Sequence, residues 1–496
     1  MWIPVEPLRH DLPDVERFIA ALDAAEFFDR AHPVILARAP GRLDLMGGIA
    51  DYSGSLVLEL PLAAAAIVAA QPDERAEVRV RSRVAAELGG LRDVVIPAAD
   101  LAACDYAGAR ALFAAQPEVH WAAYVAGALV GLHVEYGVAL RGMRLLLESE
   151  VPPGKGVSSS AAIEVAAMRA VCGVLGIELT GRELALLCQK VENLVVGAPC
   201  GVMDQMTAAL GDEETLLALL CQPAEPSGPI VIPHSIEVWG IDSGIRHAVS
   251  GADYGSVRVG AFIGYRILAD LAGLTAQLVG DVLHIQDSRW NGYLANVTPS
   301  EWEAFYRDRV PLELRGAEFL SHYGGTTDRV TIVEPDRVYA VRQPTAHPIY
   351  EHQRVRLFAA LLESLADLNE SAGHTHAQAR QKLRVRASAA EERMLLLGEL
   401  MYQSHASYSA CGLGADGTDR LVELVRAAGP HQGLYGAKIT GGGSGGVVAV
   451  LARSGARRAV ERVAAQYQRE TGHDALLIGG SSPGAMAFGT LTLAYT

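Results

Sequence analysis

A run of glycine, serine and alanine at residues 153–162, PGKGVSSSAA, places the strongest constraint on how this chain folds. Two glycines let a ligand approach the backbone closely, and the serines precede an alanine-rich stretch that predicts a helix over 161–175. The first N–H groups of a helix have no internal acceptor, so together with the helix dipole they attract anions. One serine suffices for an ordinary helix cap. Three serines with two glycines and a lysine therefore favour a phosphate-binding loop.

A second glycine-rich segment, KITGGGSGG, occupies residues 438–446. Taken alone, its glycines match the GxGxxG pattern of a dinucleotide site. The β-branched residues at 447–451 predict a strand directly after the glycines, whereas a dinucleotide-binding turn leads into a helix. A backbone nest or lid near phosphates is therefore favoured over a tight hairpin turn. The chain contains no GxxxxGK[ST] motif, which disfavours a nucleotide P-loop.

The third segment, APGRLDLMGGIADYSG at residues 39–54, combines an arginine with two aspartates in a stretch that predicts turns and loops. Arginine and aspartate side chains in loops are usually solvated, so this segment alone leaves its function open.

Composition excludes several classes of protein. The 496 residues allow two or three domains or one large two-lobed unit, and a mean hydropathy of +0.18 excludes wholesale disorder. A net charge of −15 without any dense Lys/Arg run argues against nucleic acid and against an anionic membrane surface as partners. Six scattered cysteines without a CxxC pair predict neither a zinc site nor a disulfide framework.

The expected location of the protein is cytoplasmic. Residues 1–11 lack the basic start and apolar core of a signal peptide. The longest apolar stretch, residues 55–70, is interrupted by Glu59 and Pro61 and is too short to span a bilayer.

The mixed order of predicted strands and helices indicates an α+β chain, in place of a regular βαβ array. A Pro-Ser-Gly-Pro turn near residues 226–229 suggests lobes at 1–230 and 231–496. An irregular, polar and aromatic stretch at 286–343 is interpreted as an insertion in the second lobe. The chain is expected to end with a strand, the glycine loop at 438–446, a strand, a helix and two more strands.

The three segments, in this order, resemble the signature motifs of the GHMP kinases, the family of galactokinase, homoserine kinase, mevalonate kinase and phosphomevalonate kinase. The resemblance extends from residue 38 to about 491 and is nearest to the sugar-1-kinase branch, because VGAPCGVMDQ at 196–205 resembles a galactokinase motif. Residues 47–55 and 408–414 resemble the kinase portion of plant L-arabinokinases. The resemblance implies an N-terminal lobe like ribosomal protein S5, a ferredoxin-like C-terminal lobe and an active site in the cleft between them.

The same resemblance implies an activity and its reactants. The expected reaction is ATP-dependent phosphorylation of the anomeric hydroxyl of a monosaccharide, with L-arabinose to L-arabinose 1-phosphate as the first choice. Mg²⁺ is the expected cation, a sugar and ATP are the expected partners, and a monomer is the expected state. A galactokinase or another sugar-1-kinase is the first alternative. A non-catalytic sensor of sugar and ATP is the second, which the presence of Arg42, Glu192 and Asp204 disfavours.

Individual roles follow from the resemblance. Asp204 is the implied general base, with Arg42 beside it to keep the carboxylate ionised and to stabilise the transferred phosphoryl group. Glu192 and a serine of the triple, Ser159 or Ser160, are the implied Mg²⁺ ligands. The residues implied to bind ATP are Gly154, Lys155, Gly156, Ser158, Ser159, Ser160, Gly442, Gly443 and Ser444. The residues implied to contact the sugar are Gly48, Asp51, Gly201 and Tyr254.

The chain departs from galactokinases at one informative place, where their Glu-His pair is replaced by Gly48-Ile49. The family glutamate contacts the exocyclic 6-hydroxyl of galactose, a group that L-arabinopyranose lacks. A carboxylate facing the missing group would be buried and unpaired, at a cost of several kcal/mol. The departure therefore fits a pentose, and Gly48→Glu is expected to shift preference towards D-galactose.

Overall fold

The computed structural model describes residues 1–7, 12–245, 252–279, 282–370 and 378–496. Its strands are β1 (Trp2–Pro4), β2 (Val34–Met46), β3 (Leu56–Pro72), β4 (Glu77–Ser82), β5 (Asp93–Pro97), β6 (Met143–Ser149), β7 (Thr215–Leu220), β8 (Glu225–Val231), β9 (Ile236–Asp242), β10 (Ala276–Val279), β11 (Val282–Ile285), β12 (Glu313–Arg315), β13 (Val338–Ala340), β14 (Leu434–Ile439), β15 (Val447–Arg453), β16 (Leu477–Ile478) and β17 (Leu491–Tyr495).

The helices are α1 (Pro13–Ala25), α2 (Arg83–Glu87), α3 (Ala98–Ala102), α4 (Tyr106–Ala114), α5 (Ala123–Tyr136), α6 (Ser159–Leu175), α7 (Gly181–Val191), α8 (Met203–Leu210), α9 (Ala252–Leu271), α10 (Pro299–Glu301), α11 (Gly316–Tyr323), α12 (Arg342–Glu370), α13 (Gln378–Ala410), α14 (Asp416–Ala428), α15 (Arg457–Thr471) and α16 (Ala485–Phe488). Short 3₁₀ turns occur at Gly48–Ser53, Pro117–Ala122, Leu294–Asn296 and Pro430–Gln432, and π turns at Glu192–Val196 and Trp302–Tyr306. The predicted α+β class is confirmed.

The first sheet is built around β3, which runs for 17 residues. β2 pairs with β3 along one side, while β6 and β7 share its other side. The strand order is β1-β17-β2-β3-β6-β4-β5, with β7 and β8 extending from β3. α6 packs on β2 and β3 and contacts α5 and α8. Small apolar side chains line this contact, which lets the helix approach the sheet closely and fixes the direction of its N-terminus.

The second sheet is antiparallel, in the order β14-β15-β9-β16, and α13 and α14 pack against β14. β14 and β15 form a hairpin with register pairs from Lys438–Ala449 to Ile439–Val448. The glycines at 441–446 therefore connect two strands, and the prediction of a strand after this loop is confirmed. A dinucleotide fingerprint would have required a helix there.

The expectation of a turn at residues 39–42 is wrong. β2 continues through Pro40 and Arg42, with irregularities in its pairing between Pro40 and Arg42 and again between Asp44 and Met46. A bulge accommodates proline in a strand because the ladder is interrupted there. As a result Arg42 and Asp44 are buried in the sheet instead of solvated in a loop.

The last strand crosses back to the first sheet, so the predicted second lobe at 231–496 does not describe the end of the chain. β17 pairs with β1 on one side and with β2 on the other. Leu491 and Leu493 are buried in an apolar cluster with Trp2 and Leu36, and this burial draws the C-terminus to the N-terminal sheet. The lobe boundary at residue 230 otherwise stays a prediction.

The stretch at 286–343 has an apolar core of its own, formed by residues such as Trp290, Trp302 and Phe319 with the buried face of α9. It reaches the Gly48–Ser53 turn through the turn at Leu294–Asn296.

None of the helices in the described part of the chain has the length and apolar character that a membrane span requires.

Candidate active site

Arg42 and Asp204 form a buried ion pair between β2 and the first turn of α8. The Arg42 Nε and Nη2 atoms each lie 2.8 Å from Asp204 Oδ1, and Nη1 donates to the Gly156 carbonyl at 2.6 Å. The Arg42 side chain is 4% exposed and that of Asp204 is 20% exposed. The two residues are therefore adjacent as predicted, with the carboxylate reaching solvent and the guanidinium fixed behind it.

Glu59 is a third charged residue at this pair, which sequence reasoning noted only as an interruption of an apolar stretch. It lies opposite Asp44 in the β2–β3 register, and Oε2 is 3.4 Å from Arg42 Nε. Neither carboxyl oxygen has a hydrogen-bond partner among the described residues. Burial, and then the charge of Asp44, raise the pKa of Glu59 well above its usual value. Arg42 donates its carboxylate hydrogen bonds to Asp204 and lies farther from Glu59.

Arg42 keeps its charge despite its burial. Burial alone would lower the pKa of its guanidinium, but the carboxylates of Asp204, Glu59 and Asp44 raise it above the usual value. Arg42 is therefore a permanent positive charge beside Asp204.

Ser158 holds the second oxygen of Asp204. Its backbone has a φ of 57°, in the left-handed region that non-glycine residues rarely adopt, and its hydroxyl donates to Asp204 Oδ2. Such backbone conformations persist where the surrounding structure imposes them, and they cluster at functional sites. Asp204 is thus held by Arg42 on one oxygen and by Ser158 on the other.

A cavity of about 420 Å³ opens at the N-terminus of α6 beside this pair. The predicted site residues that line it are Arg42, Gly154, Gly156, Ser158, Ser159, Ser160, Asp204 and Gly442. Since α6 begins at Ser159, its free N–H groups face this space, which suits a polyanion. The structure therefore brings most of the predicted phosphate-binding residues together around one cavity.

The other wall of the cavity is largely apolar and was missed by sequence reasoning. It is contributed by Val84, Ala85, Leu88, Trp121, Tyr124 and Ile163. These residues come from α2, from the turn before α5, and from α5 and α6. No local sequence pattern links these segments, so only the fold could reveal the wall. A flat apolar wall beside a phosphate-binding loop suits the base of a nucleotide.

Three residues predicted to bind ATP do not line this cavity. The Lys155 ammonium forms an ion pair with Asp242 at the end of β9, with Nζ and Oδ2 2.7 Å apart. Ser444 donates its backbone N–H to the Leu413 carbonyl at 2.7 Å, and Gly443 is buried beside Leu413. Lys155 thus links the serine-rich loop to the second sheet, and the ATP contacts of these three residues stay predictions.

The predicted metal ligands are adjacent. Helix α7 ends at Val191, and a π turn at Glu192–Val196 follows, as often occurs at functional sites. Glu192 is buried close to the Ser160 hydroxyl. Burial raises the pKa of Glu192 to about 7, although the Ser160 hydroxyl opposes the shift.

A second carboxyl group, Glu164, lies one helical turn after Ser160. It is fully buried, its Oε1 atom has no hydrogen-bond partner among the described residues, and the Gln205 amide donates to both Glu164 and Glu192. Hydroxyl and carboxylate oxygens are the ligands that Mg²⁺ prefers, so these residues fit the cation. Nowhere in the described part of the chain do three or more His, Cys, Asp or Glu side chains form a complete metal cage. Mg²⁺ often keeps waters and phosphate oxygens in its shell, so a partial protein shell suits it.

The predicted sugar-binding residues meet at the Gly48–Ser53 turn. Asp51 is 4% exposed and lies against Gly201, where a Cβ atom would overlap the Asp51 carboxylate, so only glycine fits at 201. Burial and then the nearby charge of Asp204 raise the pKa of Asp51 to about 7. Tyr254 packs edge-on against Tyr52, with ring centres 5.9 Å apart.

The 286–343 stretch supports this turn indirectly, through an ion pair between its Asp328 and Arg258 of α9. Arg258 makes a bidentate pair with Asp328, with both N–O distances 2.8 Å, and donates to the Cys200 carbonyl at 3.1 Å. Its guanidinium also lies 5.3 Å from the centre of the Tyr52 ring. Asp328 therefore positions a positive charge between the VGAPCG segment and the Gly48–Ser53 turn.

The structure leaves no room for the glutamate that the sequence comparison with galactokinases suggests at position 48. A Cβ atom at Gly48 would overlap the Tyr408 hydroxyl and lie 2.7 Å from Asp44 Oδ2, and the backbone φ is +44°. The space is filled by Tyr408, a residue remote in sequence. Gly48→Glu alone is therefore expected to disrupt the site and not to switch its preference.

Comparison with known proteins is consistent with this geometry. Family models match residues 123–212 (GHMP kinases N terminal domain), 385–469 (GHMP kinases C terminal) and 25–72 (galactokinase galactose-binding signature). The galactokinase of Chloroflexus aggregans is 31% identical over 84% of this chain and 83% of its own length. The chain belongs to the GHMP kinase family. The first of these models covers Ser158, Glu192 and Asp204, and the second covers the glycine loop.

Further relatives of this GHMP kinase are similar over nearly all of its length. The L-arabinokinase of Arabidopsis thaliana is 41% identical over 95% of this chain, and the chain spans about half of that relative, 48%. The crystal structure of Lactococcus lactis galactokinase complexed with galactose has a TM-score of 0.68 at 19% identity, covering 95% of this chain and 99% of its own. A mevalonate kinase structure reaches a TM-score of 0.50 at 12% identity, with coverage of 92% and 99%. These structures show that the fold is that of the family.

Proposed function

We propose that this GHMP kinase transfers the γ-phosphoryl group of ATP to the anomeric hydroxyl of a monosaccharide, with L-arabinose as the substrate. The observation that carries the proposal is the position of Asp204. Its carboxylate lines the cavity at the start of α6, and its charge acts on Asp51, which packs against Gly201. One carboxylate thus borders both the nucleotide cavity and the sugar-binding turn.

The proposed mechanism rests on positioning and charge. Asp204 accepts or orients the proton of the anomeric hydroxyl, while Arg42 holds that carboxylate in place and neutralises charge on the transferred group. The N–H groups at the start of α6 hold the phosphates, and the apolar wall at Trp121 holds the base. When bound, Mg²⁺ neutralises charge on the phosphate oxygens, with Ser160 and Glu192 as its protein ligands.

L-Arabinose is preferred over D-galactose as the substrate because of the 41% identity to an L-arabinokinase, against 31% to a galactokinase. D-Galactose remains the second candidate because the galactose-binding signature matches residues 25–72. A non-catalytic sensor is disfavoured because such a protein has no need of a fixed carboxylate and guanidinium pair.

Three narrower statements belong to the same proposal: Mg²⁺ as the cation, a monomeric state and a cytoplasmic location. The hard oxygen atoms of Ser160, Glu192 and Glu164 support the first. The free cysteines of the chain, such as buried Cys172 and Cys188, agree with a reducing compartment.

ADP release coupled to a spectrophotometric readout tests the proposal. L-Arabinose, D-galactose, homoserine and mevalonate would be compared at saturating MgATP, and the highest kcat/KM is expected with L-arabinose. Asp204→Asn, measured beside the wild type, controls for contaminating kinases. Stimulation by homoserine or mevalonate alone, or by no compound, would refute the proposed substrate class.

A further inference from the structure

The turn that begins the sugar-binding segment is clamped through three consecutive backbone amides. Gly47 N–H donates to Glu351 of α12 at 3.3 Å, Gly48 N–H to Asp44 of β2 at 3.0 Å, and Ile49 N–H to the Tyr408 hydroxyl at 2.9 Å. Each acceptor is a buried side chain from a different element. The backbone path of this turn is therefore imposed by its surroundings and not by its own sequence.

Tyr408, the third of these acceptors, is held in place by several contacts of its own. It is completely buried in the last turn of α13, and its hydroxyl donates to the Gly441 carbonyl at 3.0 Å. Its ring meets His347 edge-on at 5.3 Å between centres, and the Lys438 ammonium lies 5.2 Å from its centre. The hydroxyl thus joins the sugar-binding turn to the glycine loop.

Tyr408 and a side chain at position 48 exclude one another. A Cβ atom built on Gly48 overlaps the Tyr408 hydroxyl, and the ring carbon Cζ lies 2.8 Å from it. Cβ atoms essentially never lie this close to another heavy atom. Close packing around Tyr408 prevents its ring from moving aside. The tyrosine therefore occupies the volume that a side chain at 48 would fill.

This volume adjoins the reacting groups. A Cβ atom at Gly441, whose carbonyl binds the Tyr408 hydroxyl, would lie 3.2 Å from Arg42 Nη2. That same Nη2 atom lies 2.8 Å from Asp204 Oδ1. The Tyr408 hydroxyl is therefore linked through Gly441 to the Arg42–Asp204 pair.

We propose that Tyr408 is a specificity-determining residue, which closes the space beside Gly48 and so selects a sugar without a substituent there. The proposal rests on the proposed function. D-Galactopyranose and L-arabinopyranose share their ring stereochemistry, and galactose carries an additional CH₂OH group at C5. Because Tyr408 fills this space, the larger sugar is disfavoured by a steric clash. No charged side chain is needed to distinguish the two sugars.

The test compares Tyr408→Leu, which opens the space, with Tyr408→Phe, which removes both hydrogen bonds but keeps the ring carbon that blocks it. For each folded variant, kcat/KM is measured with L-arabinose and with D-galactose. Tyr408→Leu is expected to raise the galactose-to-arabinose ratio at least tenfold, while Tyr408→Phe keeps it within about threefold of wild type. If Tyr408→Leu does not fold, Tyr408→Met is measured in its place, and the same tenfold rise in the ratio is expected.

Equal ratios in the leucine variant and the wild type would overturn the inference and leave the proposed function standing. A larger rise in Tyr408→Phe than in Tyr408→Leu would also overturn it, because the effect would then not follow the volume that each variant removes. If the wild type phosphorylates neither sugar, the proposed function fails and this inference fails with it.

A double-mutant cycle reports the contact itself, independently of any activity. Gly48→Ala, Tyr408→Leu and the double variant are compared by thermal unfolding. The cost of alanine at a positive φ is common to both backgrounds, so it cancels in the cycle. Gly48→Ala is expected to lower Tm clearly in the wild-type background and much less in the Tyr408→Leu background. An equal loss in both backgrounds would contradict the exclusion.

Discussion

Asp204 has both carboxylate oxygens occupied, Oδ1 by Arg42 and Oδ2 by Ser158. A base held in this way contributes about 10²–10⁴-fold to turnover, and asparagine is nearly isosteric with it. Asp204→Asn is therefore expected to lower kcat by that factor while calorimetric binding of sugar and of MgATP is retained. Asp212→Asn, at an exposed position soon after α8, is the matched control. A variant with wild-type kcat would remove Asp204 from the mechanism.

Asp51 predicts how the sugar KM depends on pH. Burial and Asp204 raise its pKa to about 7, so most of the free enzyme carries a neutral Asp51 at pH 6 and an ionised one at pH 8. The ionised carboxylate is the stronger acceptor for sugar hydroxyls. The sugar KM is therefore expected to fall roughly tenfold between pH 6 and pH 8. Asp51→Asn should weaken sugar binding and abolish this trend, whereas a KM that rises with pH would refute the role.

Glu192 is expected to determine the Mg²⁺ requirement. Glu192→Gln removes an anionic oxygen from the proposed shell, so half-saturation by Mg²⁺ should rise about tenfold or more. Glu178→Gln, at an exposed position just before α7, is the control. Binding of Mn²⁺ with ATP, followed by electron paramagnetic resonance, gives a readout besides turnover. Identical titrations of the variant and wild type would show that Glu192 does not bind the cation.

Sequence reasoning correctly placed residues that lie within recognisable motifs, but it missed contacts between residues that are remote in sequence. The motifs anticipated that Arg42 lies beside Asp204 and Ser160 beside Glu192. They did not reveal that Tyr408 fills the space at Gly48, because that contact joins residues 360 positions apart. Glu59 had a visible signal, a lone carboxyl in an apolar strand, but its proximity to Arg42 depends on the β2–β3 register.

The serine-rich loop is tied to the second sheet by Lys155 and Asp242. Asp242 is 5% exposed, so removing the ammonium leaves a nearly buried carboxylate unpaired. Lys155→Met is therefore expected to lower the free energy of unfolding by about 1–3 kcal/mol, measured in urea. Lys190→Met, in a more exposed pair with Glu135, should change it by no more than about 1 kcal/mol. Unchanged stability with a large loss of kcat/KM for ATP would instead support the phosphate contact predicted from sequence.

Element boundaries were harder to predict than element types. Residues 181–195 keep a helical pattern, yet the last turn widens because Gly197 and Ala198 both donate to the Glu192 carbonyl. Sequence reasoning missed the middle of β2 because it contains Pro40 and Gly41, which are typical of turns. Pairing with β3 over most of the strand outweighed that local preference.

Strands from near the two ends of the chain, β1 and β17, pair in the first sheet. Leu493 of β17 is completely buried between β1 and β2. Leu493→Ala is expected to lower the free energy of unfolding by about 2–5 kcal/mol, because it opens a cavity in that cluster. Thr492→Ala, on the more exposed face of the same strand, should cost less than about 1 kcal/mol. Equal small effects in urea would show that β17 is dispensable.

The most direct measurement is the ³¹P and ¹H nuclear magnetic resonance spectrum of the product formed from L-arabinose and MgATP. The proposal predicts an ATP-dependent sugar phosphate whose phosphorus couples to the anomeric proton, with formation greatly reduced in Asp204→Asn. Coupling to any other ring proton, or ADP formation without a phosphorylated sugar from L-arabinose or D-galactose, would contradict it.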